Sequence, residues 1–487
     1  MITTERMAAV DANAAALGVP RKQLMESSGN AVARTVREHA ADGARVELVC
    51  GRGNNGGDAF VAARYLSEYD LRIHLLGRPA SIATEIAREN WEALERAELP
   101  TRTITDSQSI DGFADADVVV DAMLGTGVRG ALREPARTAA ERINEAREAG
   151  TETIAVDVPS GIDADTGDPT GGEDATAVMA DRIVTFHDAK PGLDSLEAAV
   201  TVADIGIPAA AERFTGPGDL LGLDRDPDSH KGENGEVLVI GGGPYSGAPT
   251  LSARAALRTG ADLVRVACPA AIAATVQGFS ENLIVHGIPG ETLATAHLDR
   301  TLELAADHDV TILGPGLGDS HAALTFVRRF LEAFDGLAVV DADALQVVPE
   351  TETSAELICT PHQGELRRMG GETADDPDER AELVRSFAAE LEATLLVKGA
   401  NDVVTDGERV RLNRTGNPGM TVGGTGDVLA GIAGALVSTQ PPIRAGAIAA
   451  YASGRAGDRA VDDYAYGLTA TDLVDRVPAA LWGEDDA

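Results

Sequence analysis

Aromatic residues make up only 3% of this 487-residue chain, so its cores must be filled by Ala, Val, Leu and Ile. Cysteine is scarce as well. Cys50, Cys268 and Cys359 each close an apolar run and share no metal-ligand spacing, which reads as buried thiols in a reducing compartment. No apolar stretch reaches the roughly 18–20 residues that a membrane span needs. The opening MITTERMAAVDANAAALG carries acids and no cleavable apolar core. The sequence therefore predicts a soluble, cytoplasmic protein. Basic residues number 41 against 78 acidic ones, a formal charge of −37. That balance argues against nucleic-acid binding through a basic face and against attraction to an anionic membrane.

The acids are spread along the chain rather than gathered in a tail, and lysines are few. Such a surface suits a cytoplasm of very high salt, where the Debye length falls to about 3 Å at 1 M and self-repulsion is screened. A halophilic host is the expectation.

A chain of this length predicts two domains. In the first half, apolar runs alternate with helical-period stretches. The runs are 46–50, 71–76, 116–123, 153–158, 182–186 and 199–202, and helices are expected at 58–67 and 134–149. Short β-branched runs separated by helices indicate parallel β-α-β units, covered on both faces. Periodicity lapses at 207–228, a Pro-, Gly- and Asp-rich linker. A second series follows at 236–240, 263–267, 310–313, 337–340, 356–360 and 394–397, and its last segment is an Ala/Gly-rich helix at 426–437. The halves share a style but no motif. The expectation is an α/β protein of two unrelated domains, 1–215 and 225–487.

Directly after the first strand comes G-R-G-N-N-G-G-D, Gly51 to Asp58. Its glycines satisfy a phosphate-cradling pattern. However, the second strand ends in Gly77 and Arg78 rather than in the acid that a dehydrogenase uses for ribose. Two further strand ends fall on the same side of the sheet. Asp121 precedes L-G-T-G-V-R-G, and Asp157 lies in A-V-D-V-P-S-G with Ser160 just beyond. Taken singly, each aspartate is as readily a cap. Three strand ends in a row point to a site able to hold a hard cation.

The second half opens with a strand leading to G-G-G-P-Y-S-G-A-P. It continues through G-P-G-L-G (314–318), D-A-D-A-L (341–345), T-P-H-Q-G-E (360–365), K-G-A-N-D (398–402) and N-P-G-M-T-V-G-G-T-G-D-V-L-A-G (417–431). In the last string, glycines lead into a helix whose first turn holds Asp427. That arrangement offers bare amides and a helix dipole to a transferring phosphate, with a carboxylate beside them to take a hydroxyl proton.

These strings carry a resemblance. Over roughly 1–215 the chain resembles the NAD(P)H-hydrate epimerase domain, a Rossmann-like parallel α/β sandwich. Over roughly 225–487 it resembles the ADP/ATP-dependent NAD(P)H-hydrate dehydratase of the ribokinase-like superfamily. The resemblance implies a bifunctional metabolite-repair enzyme. One activity, an isomerase, would interconvert the R and S forms of hydrated NADH or NADPH. The other, a lyase, would dehydrate the S form with ADP or ATP, giving AMP or ADP and phosphate.

By the same resemblance, Asn54, Asn55, Gly56, Gly57 and Asp58, with Gly125, Thr126, Gly127, Val128, Arg129 and Gly130, would line the hydrated dinucleotide in the first domain. Asn55, Asp121 and Ser160 would bind K+, and Asp157 would be the acid/base. In the second domain Ala248, Gly316, His362 and Asp427 would contact the hydrated nucleotide. Lys398, Gly399, Ala400, Asn401, Asp402 and Gly426 would bind the adenine nucleotide, with Mg2+ as cofactor and Asp427 as base. His362 has a second reading as a satisfied loop histidine. Asp341 and Asp343 either help to hold Mg2+ or cap a turn. Ala59 and Thr421-Val422 depart from the family pattern, where Gly and Ala-Thr are usual. The expected partners are small molecules alone, and the sequence is compatible with a homo-oligomer. Two rivals share these motifs: a small-molecule kinase, and an enzyme whose first half only senses a dinucleotide.

Overall fold

The computed structural model describes residues 1–127, 129–173 and 175–483. Val128, expected to line the first site, lies outside the described residues. The chain forms two compact units, Met1–Ala211 and Glu212–Ala487.

The first unit is built on seven strands: β1 (Arg45–Cys50), β2 (Asp70–Leu76), β3 (Thr101–Ile104), β4 (Val118–Ala122), β5 (Glu152–Val156), β6 (Arg182–Phe186) and β7 (Ala199–Ala203). All pair in parallel, in the order β3-β2-β1-β4-β5-β6-β7. Helices cover both faces, so β4 (V-V-V-D-A) is buried at every position and shows no alternation. The connections from β1 run one way to β2 and the other way, through β3, to β4. The carboxyl ends of β1 and β4 therefore frame a crevice. Helix Asn54–Tyr65 starts at that crevice, four residues before the expected 58. Glycine in its first turn had masked a helical stretch whose next residues, Ala59 to Ala63, are fully buried.

The second unit carries β8 (Glu236–Ile240), β9 (Leu263–Pro269), β10 (Ile284–Ile288), β11 (Val310–Leu313), β12 (Leu337–Val340), β13 (Glu356–Cys359), β14 (Thr394–Val397), β15 (Asp402–Thr405) and β16 (Val410–Asn413). Their order is β10-β9-β8-β11-β12-β13-β14-β15-β16. The first seven in this order run parallel, while β15 and β16 add an antiparallel hairpin at the edge. Here the crevice opens between β8 and β11. The expected Ala/Gly-rich helix spans Thr425–Val437 but is not the last element, since helices Pro442–Tyr464 and Ala470–Trp482 follow. Helix Thr425–Val437 packs closely on helix Gly247–Arg258. A Cβ on Gly431 would lie 2.2 Å from the Ser252 carbonyl oxygen, and one on Gly434 2.5 Å from Ile312 Cδ1. Glycine alone permits that approach.

The Pro- and Gly-rich stretch after Ala211 is tied into the second unit. Thr215 N donates to the Leu412 carbonyl at 2.8 Å, and Arg411 grips Asp219 at 2.8 Å.

Candidate active sites

In the first unit, a cavity of about 860 Å³ opens beyond the ends of β1, β4, β5 and β6. Asn54, Asn55, Asp58, Gly125, Thr126, Gly127 and Asp157 line it. Gly56 and Gly57 lie buried in the helix turn behind. Arg129 and Gly130 are not among the lining residues, and the Gly130 carbonyl accepts from Thr170 Oγ1 at 2.9 Å.

The three oxygen-bearing residues expected to meet a cation are brought together around the 123–125 loop. Asp121 is fully buried. Its carboxylate accepts from Ser160 N at 2.7 Å, Ser160 Oγ at 2.6 Å and Met123 N at 3.2 Å. Burial lifts its pKa to about 6 although those hydrogen bonds pull the other way. Leu124 N donates to Ser160 Oγ at 3.0 Å, and a Cβ on Gly125 would touch Asn55. Both polar atoms of the Asn55 side chain are buried without a hydrogen-bond partner. Amide groups are rarely left so in a folded protein. An orphaned amide oxygen near a buried carboxylate and hydroxyl is a donor set that fits K+.

Asp157 sits at φ 64°, in the left-handed region, just past the end of β5. Non-glycine residues held there cluster at functional sites. Its Oδ1 accepts from Lys190 Nζ at 2.6 Å and from Thr185 Oγ1 at 3.0 Å. Four further charged residues of the wall were given no role in the sequence: Asp11, Arg21, Arg52 and Lys190. Burial raises the pKa of Asp11, opposed by Arg21 and reinforced by Asp157. It drives Asp58 well above the usual carboxylate range, against a hydrogen bond donated by Ser28. A signal for the lysine was present. The chain has four lysines, at 22, 190, 231 and 398, so each one kept invites a reason that arginine does not meet.

In the second unit the same strand-end logic assembles the site. Gly241–Gly243 leave β8, and Gly314–Gly318 leave β11. A Cβ on Gly314 would lie 1.9 Å from the Asp341 carbonyl oxygen, and one on Gly316 would meet Ala248 at 3.2 Å. Only glycine lets these loops close on one another. Asp341, at the end of β12, is buried and accepts on Oδ1 from Thr360 Oγ1 at 2.7 Å and from Lys398 Nζ at 2.9 Å. Glu365 stands 3.8 Å from the same ammonium. Burial opposes the charge of Lys398, yet Asp341 and then Glu365 hold its pKa above the ordinary lysine value. A Cβ on Gly426 would touch Lys398 Nζ at 3.1 Å, so this cation lies against the first turn of helix Thr425–Val437. In that turn, burial and then Asp341 raise the pKa of Asp427 to about 7, with Lys398 opposing.

Asp402 accepts from Gly399 N at 2.9 Å and from Asn413 Nδ2 at 2.9 Å, which fixes the Lys398–Asp402 loop with Ala400 at its tip. Arg380, not foreseen, donates to the Asn401 carbonyl at 3.1 Å. His362 caps helix Gln363–Arg368, its Nδ1 accepting from Gly364 N at 2.8 Å and Glu365 N at 3.1 Å. Asp343 meets Gln346 Nε2 at 3.4 Å. Among the described residues no three His, Cys, Asp or Glu side chains cluster as a metal site. Nor is any helix long and apolar enough to cross a membrane.

Comparison with known proteins decides between the readings. Residues 21–192 match the family described as YjeF-related protein N-terminus, and residues 237–479 the NAD(P)H-hydrate dehydratase family. The chain is 44% identical to the bifunctional NAD(P)H-hydrate repair enzyme Nnr of Methanothermobacter thermautotrophicus, over 98% of this chain and 94% of that protein. It is 43% identical to the Archaeoglobus fulgidus enzyme of the same name, over 99% and 98%. The chain belongs to the bifunctional NAD(P)H-hydrate repair enzyme family. Among solved structures it is similar to the ADP/ATP-dependent NAD(P)H-hydrate dehydratase of Bacillus subtilis co-crystallised with ATP/Mg2+. That likeness is 26% identical, covers 53% of this chain and 92% of that one, and has a TM-score of 0.46. As in the repair enzymes so named, one chain carries both the epimerase-type and the dehydratase-type domain.

Proposed function

We propose that the first unit interconverts the R and S forms of hydrated NADH or NADPH, and that the second dehydrates the S form at the expense of ADP or ATP. The observation that carries this reading is the meeting of Asp427, Lys398 and Asp341 at a glycine-led helix N-terminus. A carboxylate with a pKa of about 7 is matched to proton transfer at neutral pH. The neighbouring ammonium and the bare amides of the first turn suit phosphate. Asp427 takes the proton of the C6 hydroxyl, and the hydroxyl oxygen bonds to the terminal phosphorus as the bond to the leaving nucleotide breaks. The ring nitrogen then expels phosphate from C6 and a C5 proton is lost, restoring the dihydronicotinamide. Mg2+ would come with the nucleotide, since it favours substrate phosphates over an all-protein cage.

In the first unit Asp157 protonates the C6 hydroxyl as it leaves, and the ring nitrogen's lone pair forms the C=N bond. Water then adds to the other face and returns its proton to Asp157. Asn55, Asp121 and Ser160 would hold K+, whose charge would orient the leaving oxygen. Ala248, Gly316 and His362 would meet the hydrated nicotinamide in the second unit. Lys398–Asp402 and Gly426 would meet the adenine nucleotide. The dispersed acidic surface fits a salt-rich cytoplasm, and the domains are read as 1–215 and 225–487. The test is to supply hydrated NADH, Mg2+ and either nucleotide and follow the absorbance of the reduced nicotinamide. Recovery of that absorbance with both epimers consumed supports the reading. A stable phosphorylated product would instead mark a kinase.

A further inference from the structure

Lys190 is 1% exposed, yet its ammonium is fully employed. It donates to Asp157 Oδ1 at 2.6 Å, to Thr185 Oγ1 at 2.8 Å and to the Phe186 carbonyl at 3.1 Å. Three protons meet three acceptors, and Thr185 Oγ1 donates in turn to Asp157. A planar guanidinium on a longer stem would not reproduce that arrangement. Lysine persists here in a chain that meets nearly every other need for positive charge with arginine. The backbone is bent to suit: Asp157 at φ 64° and His187 at φ 67° both hold the left-handed region on either side of the pair.

We propose that Lys190 is the positioning residue of the epimerase site, fixing the Asp157 carboxyl and acting on the substrate only through it. This rests on Asp157 being the acid/base. Other charged groups face the pair: Asp11 from helix Thr4–Ala16, Asp58 from helix Asn54–Tyr65, Arg21 at the head of helix Arg21–His39, and His187 beside β6. Burial favours the neutral forms of Asp11 and Asp58, which leaves the lysine as the charge in direct contact with Asp157.

The consequence for rate has a definite sign. A carboxyl that exchanges a proton with the C6 oxygen must be aimed at it, and a misplacement of about 1 Å costs about 10²-fold in rate. K190M leaves Asp157 Oδ1 with the Thr185 hydroxyl as its remaining partner in this cluster, so kcat for epimerisation falls by about 10²-fold. KM stays near the wild-type value because the lysine acts only through the carboxyl. K190R restores a donor but not the three-acceptor geometry, so it recovers part of the rate.

The full chain, supplied with a single epimer of hydrated NADH over a range of concentrations, is followed by NMR for wild type, K190M, K190R and D157N. K190Q replaces K190M should that variant not fold. A kcat lowered about 10²-fold with KM unchanged in the neutral variant, and partly restored in K190R, is the expected result. A raised KM with kcat unchanged, or no change at all, overturns the proposal. Failure of the Asp157 reading is a separate outcome, seen as undiminished epimerisation in D157N or none in wild type.

Discussion

Replacing Asp427 by asparagine removes a charge and little else, and it should make the second unit both slower and more stable. The folded environment lifts this carboxyl from 3.8 to about 7, a shift of roughly three units or about 4 kcal/mol. Below pH 4 the group is neutral in both folded and unfolded chains and contributes nothing. Between pH 4 and 7 the unfolded chain ionises while the folded one holds its proton, so folded stability falls as pH rises and levels off above 7. Asp427 is half-buried rather than sealed, and its loss also leaves Lys398 with one counter-charge fewer. The expected gain for D427N is therefore about 2 kcal/mol at pH 8, vanishing near pH 4. The same substitution removes the base, so kcat for dehydration should fall by about 10²–10⁴. In the wild type, kcat/KM should rise through pH 7 as the base ionises. Urea unfolding in concentrated KCl at several pH values, paired with the absorbance assay, measures both. Undiminished recovery of reduced cofactor by D427N refutes the catalytic role. A variant less stable than wild type at pH 8 refutes the electrostatic account.

Three further outcomes follow from the same sites. D157N should lose epimerisation by about 10²–10⁴ while binding hydrated NADH as before, read from the ratio of epimers by NMR. An unchanged rate reduces the first unit to a binding module. Exchanging K+ for choline should slow epimerisation in wild type and leave N55A almost unaffected. Because the Asn55 amide lacks partners, N55A should cost little stability without K+, and a large loss there speaks against the cation site. The melting temperature should climb between about 0.1 and 3 M KCl as a net charge of −37 is screened. A flat curve removes the halophilic reading.

Most of the parallel strands were legible because β-branched runs such as V-V-V-D-A have no helical period to compete with. The elements that escaped are short or built from small residues. Strand β3 is four residues with three of them solvated, and β15 and β16 are four residues each. Helix Pro442–Tyr464 is so rich in Ala and Gly that buried and exposed positions look alike in sequence. At the sites, loops marked by glycine and aspartate were readable since those residues announce unusual backbone and ligand oxygens. Asp11 and Arg380 were not, because each comes from a segment remote in sequence and is given its meaning only by what it faces; Lys190 was marked only by the scarcity of lysine. His362 had two readings from its string alone, and the structure adds a helix cap that neither motif nor spacing disclosed.

Helix Thr425–Val437 meets helix Gly247–Arg258 at Gly431 against the Ser252 carbonyl, main chain to main chain. A joint of that kind has no side chain to trade, so at this point it cannot be retuned by swapping one aliphatic group for another. The depth at which the helix bearing Asp427 sits is pinned there. Adaptation was left the outer skin, where the acids are.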